Sequence, residues 1–171
     1  MKIFLIGLPG SGKSTLGKKL SLELGYKFFD TDEEIIRLEK RTIEEIFANE
    51  GEVYFRKKEN EILNHLLAEA NAVISTGGGT PCFFDNIQVI NNNGISIFLN
   101  IELDAVAGRL KKGKNNNRPM VAGKTDSELL EFLQNKHAER LPFYSKASIE
   151  IEDEKMSVGA LVNLLKIKSL I

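Results

Sequence analysis

Residues 2–14 read Lys-Ile-Phe-Leu-Ile-Gly-Leu-Pro-Gly-Ser-Gly-Lys-Ser, an apolar run that breaks at Gly7 into a glycine-rich loop. A short apolar run before a glycine suits a strand buried on both faces, as in a parallel sheet. Beyond the loop, Leu16, Leu20 and Leu24 recur at every fourth residue and predict a helix over 13–24, closed by Gly25. Between strand and helix, Gly7-x-x-x-x-Gly12-Lys13-Ser14 matches Gly-x4-Gly-Lys-Ser/Thr in full. Glycines let the backbone curl until successive N–H groups point at anionic oxygens, and the helix adds its unpaired amides. The motif therefore predicts a phosphate cradle from Gly10, Ser11, Gly12, Lys13, Ser14 and Thr15. Lys13 reaches the β- and γ-phosphates of a nucleoside triphosphate, and the Ser14 hydroxyl suits a magnesium ion. A ligand-free glycine turn is the alternative, and the strand and helix on either side weigh against it.

Four more strand signals follow: Tyr26–Phe29, Ala72–Ser75, Ser96–Asn100 and Ala147–Ile151. Helical stretches separate them. The first spans 33–69, where Thr42 and Glu45 form a capping box that restarts a helix at Ile43 and Gly51 interrupts it. Others cover 85–92, 103–111 and 126–140, the third capped by Asp126, and Ser157 opens a last one. Strands alternating with helices predict an α/β fold, a three-layer, five-stranded parallel sheet flanked by helices, of the P-loop NTPase type. Residues 111–125 are polar and basic, a candidate surface loop.

The 171 residues suit one domain. A net charge of −1 argues against a general electrostatic nucleic-acid binder. No apolar run is long enough for a helix to cross a bilayer. The N-terminal run flows straight into the loop, which argues against a removable leader. Cys82 is the only cysteine, which excludes an internal disulfide, and His65 and His137 lie too far apart in sequence to suggest zinc. The expectation is a cytoplasmic monomer with no nucleic-acid or membrane partner.

A phosphate loop names the donor and leaves the acceptor open. Strand C-termini line the crevice of an open parallel sheet, so Asp30 and Asp32 should face the loop. One carboxylate then anchors the magnesium shell and the other orients or deprotonates an acceptor hydroxyl. Equally, they read as a helix cap and a dipole-compensating acid. Arg56 is the residue type that grips a carboxylate, or else a surface arginine paired with Glu52 or Glu59. Phe47 and Phe55 read as core before substrate contacts. Gly77-Gly78-Gly79 demands close approach by a ligand or a packed neighbour. Arg118-Pro119, in the basic loop, offers a cation that swings over the transferred group, or a solvated loop. Arg140 ends a helix, where it also suits the dipole.

Taken together, these pieces resemble the shikimate kinases. The likeness runs through the loop at 7–14, Asp-Thr-Asp at 30–32, Ile-Phe…Gly-Glu…Phe-Arg-x-x-Glu from Ile46 to Glu59, and the glycines at 77–79. It continues through Arg118-Pro119 and Arg-x-Pro-x-Tyr from Arg140 to Tyr144. The resemblance implies transfer of the γ-phosphoryl of ATP to the 3-hydroxyl of shikimate, in aromatic amino-acid biosynthesis, with Mg2+. It implies a substrate-binding helical segment at about 31–60 and a lid at about 112–125 within a single kinase domain. It assigns Asp32, Arg56, Gly78 and Arg140 to shikimate, with both arginines on its carboxylate and Asp32 as candidate base. Lys13 and Arg118 would stabilise the γ-phosphoryl, Ser14 and Asp30 would serve magnesium, and Arg109 would stack on adenine. Phe47, Phe55 and Pro9 would wall the ring. One departure is the lid, Arg-Pro-Met-Val where leucines commonly follow Arg-Pro. The competing readings are a gluconate or nucleoside-monophosphate kinase and a catalytically silent ATP-binding protein.

Overall fold

The computed structural model describes residues 1–112 and 123–171. Five strands, β1 (Lys2–Ile6), β2 (Lys27–Asp30), β3 (Ala72–Ser75), β4 (Ile95–Leu99) and β5 (Ile149–Ile151), form one sheet. All pairings are parallel and the order is β2-β3-β1-β4-β5. The phosphate-loop strand β1 is thus central, between β3 and β4, where the chain changes its direction of winding. That is where α/β sheets open a ligand crevice at their C-terminal edge.

Seven helices are present among the described residues: α1 (Lys13–Leu24), α2 (Thr31–Glu39), α3 (Ile43–Leu66), α4 (Asn86–Asn93), α5 (Leu103–Lys112), α6 (Asp126–Tyr144) and α7 (Val158–Ile167). A 3-10 turn spans Thr80–Cys82. The fully apolar strands bury both faces, as their sequences require. Ile3 and Leu5 pack with Leu20, Leu161 and Leu165 on one side. Phe4 and Ile6 pack with Ile46, Leu63 and Tyr144 on the other. No helix among the described residues is long and apolar enough to cross a membrane.

Several boundaries differ from expectation for local reasons. Strand β2 starts at Lys27, because the Tyr26 amide still donates to Ser21 O and belongs to the α1 cap around left-handed Gly25. Strand β5 starts at Ile149, since Ala147 N donates back to Tyr144 O in a turn. The α6 cap is Thr125, in a capping box with Glu128, and Asp126 is the first helical residue. That helix does not end at Arg140 but runs on through Pro142 to Tyr144, so Arg140 is an interior helical residue. Gly51 does interrupt α3: its φ of 79° and ψ of 176° are non-helical and kink the element.

Candidate active site

At the C-terminal end of β1 the loop turns on Gly7, Gly10 and Gly12, all with left-handed φ. A side chain at Gly10 would strike Leu110, 2.9 Å from where its Cβ would stand. Lys13 opens α1, is buried, and donates from Nζ to Gly7 O (3.0 Å) and Leu8 O (2.8 Å). The buried Ser11 Oγ has no hydrogen-bond partner. Ser14 Oγ donates to Asp30 Oδ2 at 2.6 Å, and Asp30 Oδ1 accepts from the Asp32 amide at 3.1 Å. Asp30 thus does both jobs that its sequence context offered, capping α2 and facing the phosphate loop. Asp32 is not the cap but sits in the first turn of α2. The hydroxyl–carboxylate pair Ser14–Asp30 is an all-oxygen donor set of the kind that suits a hard divalent cation sharing phosphate oxygens and waters. Among the described residues no cluster of three or more His, Cys, Asp or Glu offers a closed metal cage.

The reason for three successive glycines after β3 is visible neighbour by neighbour. A Cβ on Gly77 would collide with Glu59 and stand 2.7 Å from Asp32 Oδ1. On Gly78 it would stand 2.7 Å from Pro9 Cδ and 2.8 Å from Arg140 Nη1. On Gly79 it would collide with Arg56 Nη1 and stand 2.6 Å from Arg56 Cζ. One turn of backbone therefore touches Asp32, both buried arginines and the phosphate loop. The turn is held from below by Thr31 Oγ1, which accepts from Gly77 N (2.8 Å), and by the Tyr144 hydroxyl, which donates to Gly78 O (2.5 Å).

Arg56 and Arg140 are 9% and 8% exposed, so Arg56 is not the surface arginine that the sequence also allowed. Arg56 does pair as that alternative supposed: Nη1 donates to Glu59 (2.6 Å), and Nε and Nη2 donate to Glu52 (3.1 and 2.9 Å). Burial alone would lower its pKa, but the charges and hydrogen bonds of Glu59 and then Glu52 hold it above the ordinary value. Arg140 Nη1 is buried without a hydrogen-bond partner, an orphaned charged donor beside Gly78. Nearby, burial pushes the Tyr144 phenol well above its ordinary pKa and the Cys82 thiol up to about 11. Cys82 is therefore a neutral thiol near neutral pH. Phe55 is core, as periodicity suggested, while Phe47 keeps 36% of its surface exposed and tilts against the Phe55 ring at 4.7 Å.

On the other side of the loop, a cavity of about 530 Å3 is lined by Gly12, Thr15, Arg109, Glu154, Met156 and Ser157. Its size is that of a small-ligand pocket. Arg109 bridges it, donating from Nη1 to Ser11 O (3.1 Å) and from Nη2 to Glu154 (2.9 Å). Arg118 and Pro119, with most of the expected lid, lie outside the described residues.

Residues 153–157 wall this cavity, although their sequence carries no binding motif and signals only the helix start at Ser157. Sequence reasoning gave no role to Thr80, whose hydroxyl donates to Glu59 at 2.7 Å. Glu59 had a usable signal, its i,i+3 spacing from Arg56.

Comparison with known proteins agrees with this geometry. The family profile described as "Shikimate kinase" matches residues 9–166. A shikimate kinase of Phocaeicola vulgatus is 39% identical over 170 residues, 96% of this chain and 97% of that protein. The 1.7 Å crystal structure of shikimate kinase from Bacteroides thetaiotaomicron superposes with a TM-score of 0.92 at 35% identity, covering 99% of both chains. A shikimate kinase from Acinetobacter baumannii in complex with shikimate gives 0.86 at 32% identity, covering 98% of this chain and 93% of that one.

Proposed function

The chain belongs to the shikimate kinase family, and from that premise we propose that it transfers the γ-phosphoryl group of ATP to the 3-hydroxyl of shikimate. The products are shikimate 3-phosphate and ADP, and the reaction serves aromatic amino-acid biosynthesis. One observation carries the reading. The glycines at 77–79 bring a carboxylate, Asp32, and two buried guanidiniums, Arg140 and Arg56, onto one short turn against Pro9 of the phosphate loop. A small acid with ring hydroxyls needs cations at one end and a carboxylate at the other, and this turn supplies both.

In this reading Arg56 and Arg140 hold the substrate carboxylate, and the orphaned Arg140 Nη1 gains its missing acceptor. Asp32 accepts a hydrogen bond from the 3-hydroxyl and takes its proton as the oxygen attacks the γ-phosphorus. The bond from that phosphorus to the β,γ-bridging oxygen breaks, and its electron pair leaves with ADP. Lys13 gives up its carbonyl partners, Gly7 and Leu8, for phosphate oxygens and neutralises their charge through the transfer. Ser14 and Asp30 would hold Mg2+, which would supply charge neutralisation to the phosphates. Arg109 stacks on the adenine in the cavity that Glu154 and Ser157 wall. Arg118, in the lid at about 112–125, covers the γ-phosphoryl. Residues 31–60 form the acceptor segment of a single kinase domain acting as a cytoplasmic monomer, without nucleic-acid or membrane partners.

The test is ADP release in a coupled assay with ATP, Mg2+ and shikimate, with the phosphate ester identified by phosphorus NMR. Shikimate-dependent turnover is expected. Turnover on gluconate or a nucleoside monophosphate, without turnover on shikimate, would sink the reading.

A further inference from the structure

The Arg56 guanidinium has two carboxylate partners of opposite character. Glu59 is a fixed one. It is 1% exposed, accepts from Nη1, and has its other oxygen tied to the Thr80 hydroxyl. Gly79 packs against the guanidinium and the Phe83 ring lies 4.6 Å from its central carbon, so this end cannot move far. Glu52 is the reverse. Its side chain keeps 58% of its surface in water, yet one oxygen takes both Nε and Nη2. Those two donors form one of the forks by which an arginine grips a carboxylate. Glu52 also follows directly on Gly51, whose non-helical backbone breaks α3 at that point.

We propose that Glu52 is a built-in competitor for the acidic end of the substrate. It occupies a fork of Arg56 while the site is empty and turns to solvent when a carboxylate ligand arrives. The inference rests on the reading of Arg56 as the carboxylate anchor.

Charge explains why such a partner exists and why it leaves. With Glu52 in place, Arg56 is paired with two carboxylates, Glu52 and Glu59, so an incoming anion meets a guanidinium whose donors are taken. With Glu52 turned away, the Nε and Nη2 donors of Arg56 are left without their acceptor, and the substrate carboxylate takes its place. A buried guanidinium without enough anionic partners is costly, so Glu52 protects the empty site. Its own departure costs little, because an exposed carboxylate regains water and exposed ion pairs are weak. A hydroxylated ligand lacking an acid group offers Arg56 nothing in exchange and leaves Glu52 seated. The same competition lowers apparent affinity for the true substrate.

Glu52→Gln keeps the shape and removes the charge. It is expected to lower the KM for shikimate about three- to tenfold, leaving the KM for ATP where it was. Glu52→Ala should move the same quantity in the same direction, and it serves if the first variant folds poorly. Glu59→Gln, which removes the fixed partner, should instead raise the KM for shikimate. An unchanged KM for shikimate in both Glu52 variants overturns the proposal. A raised one also overturns it and makes Glu52 a positioning residue for Arg56. A wild-type enzyme without shikimate-dependent turnover would overturn the proposed function itself. Wild-type turnover with no gain in the variants overturns this inference alone.

Discussion

The two ends of the site are built from different materials. The nucleotide end is backbone: eight consecutive residues, three of them glycines in left-handed conformation, curl at the end of β1 and present amides. The proposed acid end is side chains: Asp32 from α2, Arg56 and Glu59 from α3, and Arg140 from α6, assembled on the glycines after β3. A backbone cradle is specified within one short stretch and needs little support from elsewhere. An assembly of side chains works only if four separate elements pack correctly, and it pins its charges by burial and ion pairs. The two ends should therefore fail separately, and each in its own kinetic constant.

The largest expected effect lies where the ends meet. Asp32→Asn keeps the shape of the side chain and removes the proposed base, so kcat should fall about 10²- to 10⁴-fold. The KM for ATP should stay within about twofold, which steady-state kinetics would show. Equal loss in both constants would mean that Asp32 supports the fold or the metal rather than the proton transfer. Next comes Gly79→Ala. Its Cβ would strike a guanidinium pinned by Glu59 and Phe83, so the KM for shikimate should rise about ten- to a hundredfold. The KM for ATP should not follow; if it does, the acid end is not separable from the nucleotide end. The smallest effect belongs to Arg109→Ala. Its side chain is 39% exposed and bonded to Glu154, and loss of the proposed stacking cation should raise the KM for ATP only about two- to fivefold. A larger change, or one in the KM for shikimate, would show that the two ends share more than the glycine turn.

The same contrast governs what the sequence reveals. The phosphate loop, the flanking strand and helix and the helical break at Gly51 are legible because each depends on neighbours in the chain. The sheet follows from alternation of elements, and its strand limits miss by one or two residues where a cap or turn claims an amide, as at Tyr26 and Ala147. The acid end is legible only as an ordered set. Arg140 alone reads as a helix-terminal cation, yet α6 continues past it through Pro142 and carries it into the interior. For Arg56 two readings stood as rivals, a carboxylate grip and a pairing with Glu52 or Glu59. The pairing is present, and the burial that makes it matter is a tertiary property that no local pattern encodes. Residues 153–157 wall a cavity together with Gly12, Thr15 and Leu16, which lie more than 130 residues away in the chain, a juxtaposition that no local pattern encodes.

The separation of the two ends is tested most directly by calorimetric titration of Arg140→Gln with each ligand alone. Arg140 touches Gly78 and carries an unpartnered buried donor, so its loss should weaken shikimate binding at least about tenfold. The dissociation constant for ADP with Mg2+ should stay within about twofold of the wild-type value. Weakening of both ligands in parallel, or of the nucleotide alone, would contradict a site whose acid end and nucleotide end are built independently.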